Sequence, residues 1–183
     1  MNIMKTKLSG VYLIEPVVHV DSRGFFMEIY NKNSFEKFGL DYSYVQDNFS
    51  SSDRKGTIRG MHYQMNPKAQ TKLISVIEGE IFDVVVDIRR NSPTFGQWVG
   101  EVLSSENKRQ ILVPSGFAHG FCTLKVKTQV HYKVDEYYSP ENDRGIRWND
   151  PEIGIEWPTL EPILSKKDEA LPLLKEIDIN SLC

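Results

Sequence analysis

Two histidines in this chain sit at the ends of short segments in which glycine or proline shapes the backbone. His62 ends the run Gly56-Thr57-Ile58-Arg59-Gly60-Met61-His62 and is followed by Tyr63 and Gln64, while His119 closes Pro114-Ser115-Gly116-Phe117-Ala118-His119. An imidazole framed in this way does one of two things. It ligates a metal, and zinc or non-haem iron then needs three or four N, O or S donors, or it moves protons near neutral pH. Neither a Gly-x-Gly-x-x-Gly loop nor a Gly-Lys-Ser/Thr phosphate loop is present, which disfavours a nucleotide-dependent redox enzyme or a kinase.

Holding such groups in place requires rigid elements, and short apolar runs separated by turn residues supply them. Val11–Ile14, Phe25–Tyr30, Val45–Ser50, Thr57–Tyr63, Lys72–Ile77, Ile81–Ile88, Trp98–Leu103, Gln110–Val113, Phe117–Leu124 and Val130–Val134 read as strands. Glu78-Gly79-Glu80 and Asn91-Ser92-Pro93 read as turns. Short helices are expected over Ser34–Phe38 and over Ser165–Lys175, the latter broken by Pro172. This pattern predicts an all-β fold, a sandwich or jelly-roll barrel with a few short peripheral helices.

Alternation then sorts the polar side chains. His119 shares a face with Phe117 and Phe121, and Tyr132 with Val130 and Val134, so both point toward the barrel interior. Gln129, His131 and Lys133 take the opposite face, and His19, beside Asp21 in a loop-like stretch, reads as surface. Strict alternation separates Arg59 from His62. The two reach one pocket only if Gly60 forms a bulge.

A chain of 183 residues with 40% hydrophobic and 11% aromatic content can fill one core, and no linker, repeat or charge block divides it, so one domain over 1–183 is expected. A net charge of −3 argues against nucleic-acid or membrane-surface binding and leaves any anionic ligand to a local Arg and Lys cluster. Residues 1–10 lack the apolar stretch of a signal peptide, and no window reaches membrane-spanning length. Cys122 in an apolar run and Cys183 at the end are poorly placed for a disulfide framework, which points to a reducing cytoplasm.

The two histidine segments resemble the paired signatures of the cupin barrel. In that resemblance Gln64 stands where a second metal-binding histidine belongs, and Lys68 and Ala69 occupy the usual glutamate positions. Two of four ligands remain, so the resemblance implies proton chemistry with no metal and no cofactor. More of the chain is similar to the dTDP-4-dehydrorhamnose 3,5-epimerase family. The matching segments are Asp21–Phe26, Gln46–Ser50, Gly56–Gln64, Lys72–Val76, Val113–Phe121, Tyr132–Tyr138, Trp148–Pro151 and Ser165–Asp168, in family order from about Gly10 to Leu171.

The resemblance implies a homodimeric enzyme that inverts carbons 3 and 5 of a dTDP-linked 4-keto-6-deoxyhexose on the way to dTDP-L-rhamnose. It makes His62 the base, Asp168 its orienting carboxylate, Tyr132 the acid across the ring, and Lys72 the group facing the enolate oxygen. Ser165-x-x-Asp168 also reads as a helix N-cap, and Tyr132 taken alone is an ordinary core residue. The family further implies His119 at the sugar, Arg59, Arg23 and Lys167 at the diphosphate, and Tyr138 as the ring stacking on thymine. Phe26, Glu28, Gln46, Asp47 and Asn48 would be its neighbours, with Asp143 where the family often carries glutamate. N-terminal strands cross between subunits in this family, so Arg23 and Glu28 would complete the partner's site. Alternatives are an epimerase of one carbon only, a 4-keto sugar isomerase, a silent sugar-nucleotide-binding cupin, and a metal-dependent cupin oxygenase or isomerase.

Overall fold

The structure, a computed structural model, describes residues 1–178, so Cys183 lies outside the described residues. Thirteen strands are present among them: β1 Asn2–Lys5, β2 Tyr12–Glu15, β3 Val18–Asp21, β4 Gly24–Met27, β5 Gln46–Ser52, β6 Ile58–Gln64, β7 Lys72–Glu78, β8 Glu80–Asp87, β9 Trp98–Ser104, β10 Gln110–Val113, β11 Phe117–Thr123, β12 Thr128–Val134 and β13 Asp143–Gly145. Two short helices, α1 Lys32–Glu36 and α2 Lys166–Glu169, and a 3₁₀ turn over Leu174–Glu176 lie outside the sheets. No helix among the described residues is long and apolar enough to cross a membrane.

The strands form a six-stranded sheet, β1-β2-β10-β7-β12-β5, and a five-stranded sheet, β13-β6-β11-β8-β9, with β3 and β4 as a separate hairpin. This is the all-β architecture that the strand pattern predicts, in the cupin-type form that the resemblance implies. Between the sheets lies a core of Leu8, Ile74, Ile81, Val85, Leu103, Ile111, Phe117, Phe121 and Val130. Each such side chain removed from water contributes about 1.5–3 kcal/mol. The outer face of the five-stranded sheet is also covered, since Met61, Tyr63, Val84 and Ala118 pack under Ile146, Ile153 and Leu174. On the other sheet Leu73 and Leu112 pack under Phe35 and Leu40 of the α1 region. Burial on both faces explains why β8 and β11 read as nearly continuous apolar runs.

The boundaries differ from expectation in instructive places. β1 is half polar and exists because it pairs antiparallel with β2. His19 is exposed as expected, but it lies on β3, where its ring stacks on Phe26 at 6.5 Å. The expected Phe25–Tyr30 strand ends at Met27, and α1 starts earlier than predicted because the Asn31 side chain accepts from Ser34 N. Pro172 separates α2 from the 3₁₀ turn, as its missing N–H demands.

Candidate active site

His62 and Tyr132 approach from opposite sheets, one on β6 and the other on β12. Both line a cavity of about 470 Å³ and an adjoining one of about 220 Å³, as do Lys72 and Lys167. The larger cavity also carries Arg59, His119 and Asp168, and the smaller Gln46, Asn48, Tyr138 and Asp143.

A glycine bulge lets Arg59 and His62 share one face. The β6–β11 register pairs His62 with His119 but Arg59 with Phe121, which leaves one unmatched step at Gly60. Gly60 has φ +132, and a Cβ there would lie 2.5 Å from Gly120 Cα. Only glycine fits both the dihedral and that approach. The Arg59 guanidinium is then steadied by Ser52 Oγ at 3.1 Å and Ser51 O at 3.0 Å.

Both inward histidines are held by carboxylates. His62 Nε2 lies 2.9 Å from Asp168 Oδ1, and that carboxylate is almost fully buried. With the Nε2 proton donated to Asp168, the free lone pair lies on His62 Nδ1, a buried atom with no hydrogen-bond partner. Burial raises the Asp168 pKa, but bonds from His62, Gly60 N–H and Ser165 outweigh it, so the carboxyl stays below its usual range. The Ser165 cap and the His62 contact are compatible: Ser165 Oγ accepts from the Asp168 backbone N–H at 3.1 Å, while the Asp168 carboxylate meets His62. Capping aims the carboxylate at the imidazole.

The second pair, His119 Nε2 with Asp83 Oδ2 at 2.8 Å, is more deeply buried. Sequence reasoning missed Asp83. Its signal was a carboxylate inside the apolar run Ile81–Ile88, where an unpartnered charge would be costly. Burial pushes its pKa up against the opposing pull of His119 and Lys72.

Lys72 bridges the sheets by donating from Nζ to His62 O at 3.3 Å. Burial pushes its pKa down to about 8, against the pull of Asp143 and Asp83. Tyr132 moves the other way. Burial and Asp143 raise its pKa and outweigh Arg59, so the phenol stays protonated at neutral pH.

Around the smaller cavity, Tyr138 Oη donates to Asp143 Oδ2 at 3.0 Å and Lys167 Nζ meets the same oxygen at 2.5 Å. β13, unforeseen because it is only three residues long, sets Asp143 opposite Gln64. One expectation needs correcting. The Asp47 side chain faces outward, 3.0 Å from His131 Nε2 and 2.7 Å from Lys133 Nζ, because alternation along β5 puts Gln46 and Asn48 inward and Asp47 outward. Arg23, Phe26 and Glu28 are absent from both cavities of their own chain. Arg23 pairs locally with Asp21 at 2.6 Å, Glu28 accepts from Asn31, and Phe26 is 67% exposed. Among the described residues no group of three or more His, Cys, Asp or Glu is arranged to hold a metal ion.

Comparison with known proteins matches residues 5–176 to the sequence profile of dTDP-4-dehydrorhamnose 3,5-epimerase. The Shigella flexneri enzyme of that name is 53% identical over 169 residues, covering 92% of this chain and 93% of the relative. The Bacillus anthracis enzyme of that name, solved with TDP and PPi bound, superposes with a TM-score of 0.93 at 57% identity, covering 94% of this chain and 99% of the other. A Legionella pneumophila dTDP-6-deoxy-D-glucose-3,5-epimerase in complex with dTDP-4-keto-L-rhamnose gives a TM-score of 0.95 at 48% identity, covering 99% and 96%.

Proposed function

The chain belongs to the dTDP-4-dehydrorhamnose 3,5-epimerase family, and from that premise we propose how its residues divide the reaction. The enzyme is an isomerase that epimerises carbons 3 and 5 of dTDP-4-dehydro-6-deoxy-D-glucose to give dTDP-4-dehydro-L-rhamnose, in dTDP-L-rhamnose biosynthesis. A carbon beside a ketone is acidic because its carbanion is an enolate. Inversion therefore needs a base on one face, an acid on the other and a cation at the oxygen.

One observation carries this reading: His62 and Tyr132 face the same cavities from opposite sheets, with Lys72 lining both. His62 takes the carbon-bound proton, and Asp168 stabilises the imidazolium that results. The Lys72 ammonium stabilises the enolate, and the Tyr132 phenol returns a proton from the far side. His119, fixed by Asp83, contacts the sugar. Arg59 and Lys167 bind the diphosphate, and Tyr138 stacks on thymine with Gln46, Asn48 and Asp143 beside it.

Arg23, Phe26 and Glu28 act in the partner's site. This is supported by a β3–β4 hairpin that joins neither sheet and leaves Val20 79% and Phe26 67% exposed. The assembly is then a homodimer. The whole chain acts as one domain, since Leu8 through Val130 contribute to the core between the sheets. A cytoplasmic setting agrees with Cys122, a buried free thiol whose pKa burial pushes up to about 11.

The test is to incubate the purified enzyme with dTDP-4-keto-6-deoxy-D-glucose in heavy water and count deuterium at each ring carbon by NMR. Label at carbons 3 and 5 is expected from wild type, and none from His62→Asn, which should still bind dTDP. Label at one carbon only would make the enzyme a single-carbon epimerase. Unchanged exchange in the variant would remove His62 from the mechanism.

A further inference from the structure

Gln64 takes no part in the proton transfers, yet the residue is only 4% exposed. It lies two residues beyond His62 on β6, and its amide is turned to backbone. Nε2 donates to Lys68 O at 2.5 Å and to Tyr137 O at 3.2 Å, while Oε1 accepts from Ser139 N at 2.7 Å. Between those last two contacts sits Tyr138, whose own N–H donates to Gln46 Oε1 at 3.0 Å. Three consecutive residues are thus fastened through their backbone by two glutamines. Tyr138 as a residue remains 54% exposed, its hydroxyl tied to Asp143.

We propose that Gln64 is a positioning residue for nucleotide binding: it holds segment 137–139 so that the Tyr138 ring is set as a stacking surface before the ligand arrives. The proposal rests on the reading above that Tyr138 meets the base. Segment 137–139 contributes no regular strand or helix of its own, and side-chain bonds take the place of a sheet ladder. A buried amide satisfied by backbone groups is also hard to replace. Without it the carbonyl of Tyr137 and the N–H of Ser139 lose partners, and the segment gains alternatives that binding must then suppress. Ordering one residue at the moment of binding lowers affinity about ten-fold. The chemistry at His62, Tyr132 and Lys72 is untouched, so the loss falls on binding and not on turnover.

Gln64→Met keeps the length and removes the polar end. With wild type as reference, dTDP affinity is measured by titration calorimetry, turnover by the epimerase assay, and amide exchange at Ser139 by mass spectrometry or NMR. The expected result is a Kd for dTDP and a KM about ten-fold higher, kcat within about two-fold of wild type, and faster exchange at Ser139. Wild type that fails to bind dTDP would defeat the nucleotide reading itself. Wild type that binds, with a variant that binds equally well or loses kcat at unchanged KM, would defeat the role given to Gln64. If Gln64→Met does not fold, ligand-free wild type decides. A Ser139 amide already protected before dTDP is added is expected, and protection that arises only with dTDP overturns the proposal.

Discussion

At the scale of single residues, the role proposed for Lys72 sets catalysis against stability. Its folded-state pKa of about 8 lies below the usual 10.5, so the unfolded chain holds that proton more tightly. Burying the ammonium therefore costs stability in full below pH 8. The cost fades as pH rises from about 8 toward 10.5 and amounts to about 3 kcal/mol at neutral pH. Lys72→Met should raise the thermal midpoint by several degrees while lowering kcat about 10²–10³-fold, checked by calorimetry beside the epimerase assay. Unchanged activity would mean that another group meets the enolate. If the ammonium is the active form, kcat/KM should also fall as pH rises through about 8, and a profile flat to pH 9.5 would contradict that role. Alternation, a local signal, turned His119 and Tyr132 inward, where both line the larger cavity, whereas the pairing of His62 with Asp168 was implied only by the family resemblance. Sequence reasoning missed Asp83, whose meaning depends on a histidine 36 positions away.

At the scale of elements, the β6 bulge sets the site. Gly60→Ala must place a Cβ 2.5 Å from Gly120 Cα at φ +132, so it should cost about 2–4 kcal/mol in urea unfolding and strongly reduce activity. Gly39→Ala is the control. Gly39 has φ +75 but open space around it, so it should show only a dihedral penalty of about 1 kcal/mol. Equal effects from the two would remove the close approach to Gly120 as the reason for glycine. The bulge was foreseeable because Arg59 and His62 had the wrong parity for one pocket. The outward turn of Asp47 follows from the same alternation that put Tyr132 inward. β1 and β13 were not foreseeable, since each is only three or four residues long and depends on a pairing partner elsewhere in the chain, while β3 is a four-residue strand that pairs with β4 in a local hairpin.

At the scale of the whole molecule, each cavity lacks the Arg23 and Phe26 of its own chain. If the partner supplies them, Arg23→Ala and His62→Asn are each nearly inactive alone. A mixture refolded together should regain activity, because one site in each mixed dimer then holds an intact His62 and an intact Arg23. No recovery, with mixed dimers shown to form, would place Arg23 in its own chain's site or outside the reaction. This expectation comes only from the family resemblance, since composition does not say whether a hairpin crosses to a neighbour. The claim on which everything else depends is the opposition of base and acid across the sugar, and Tyr132→Phe tests it most directly. In heavy water the variant should still exchange deuterium into the substrate through His62 while forming the L-configured ketone far more slowly than wild type. Formation of that product at the wild-type rate would show that a group other than Tyr132 donates the second proton, and the arrangement described here would be wrong.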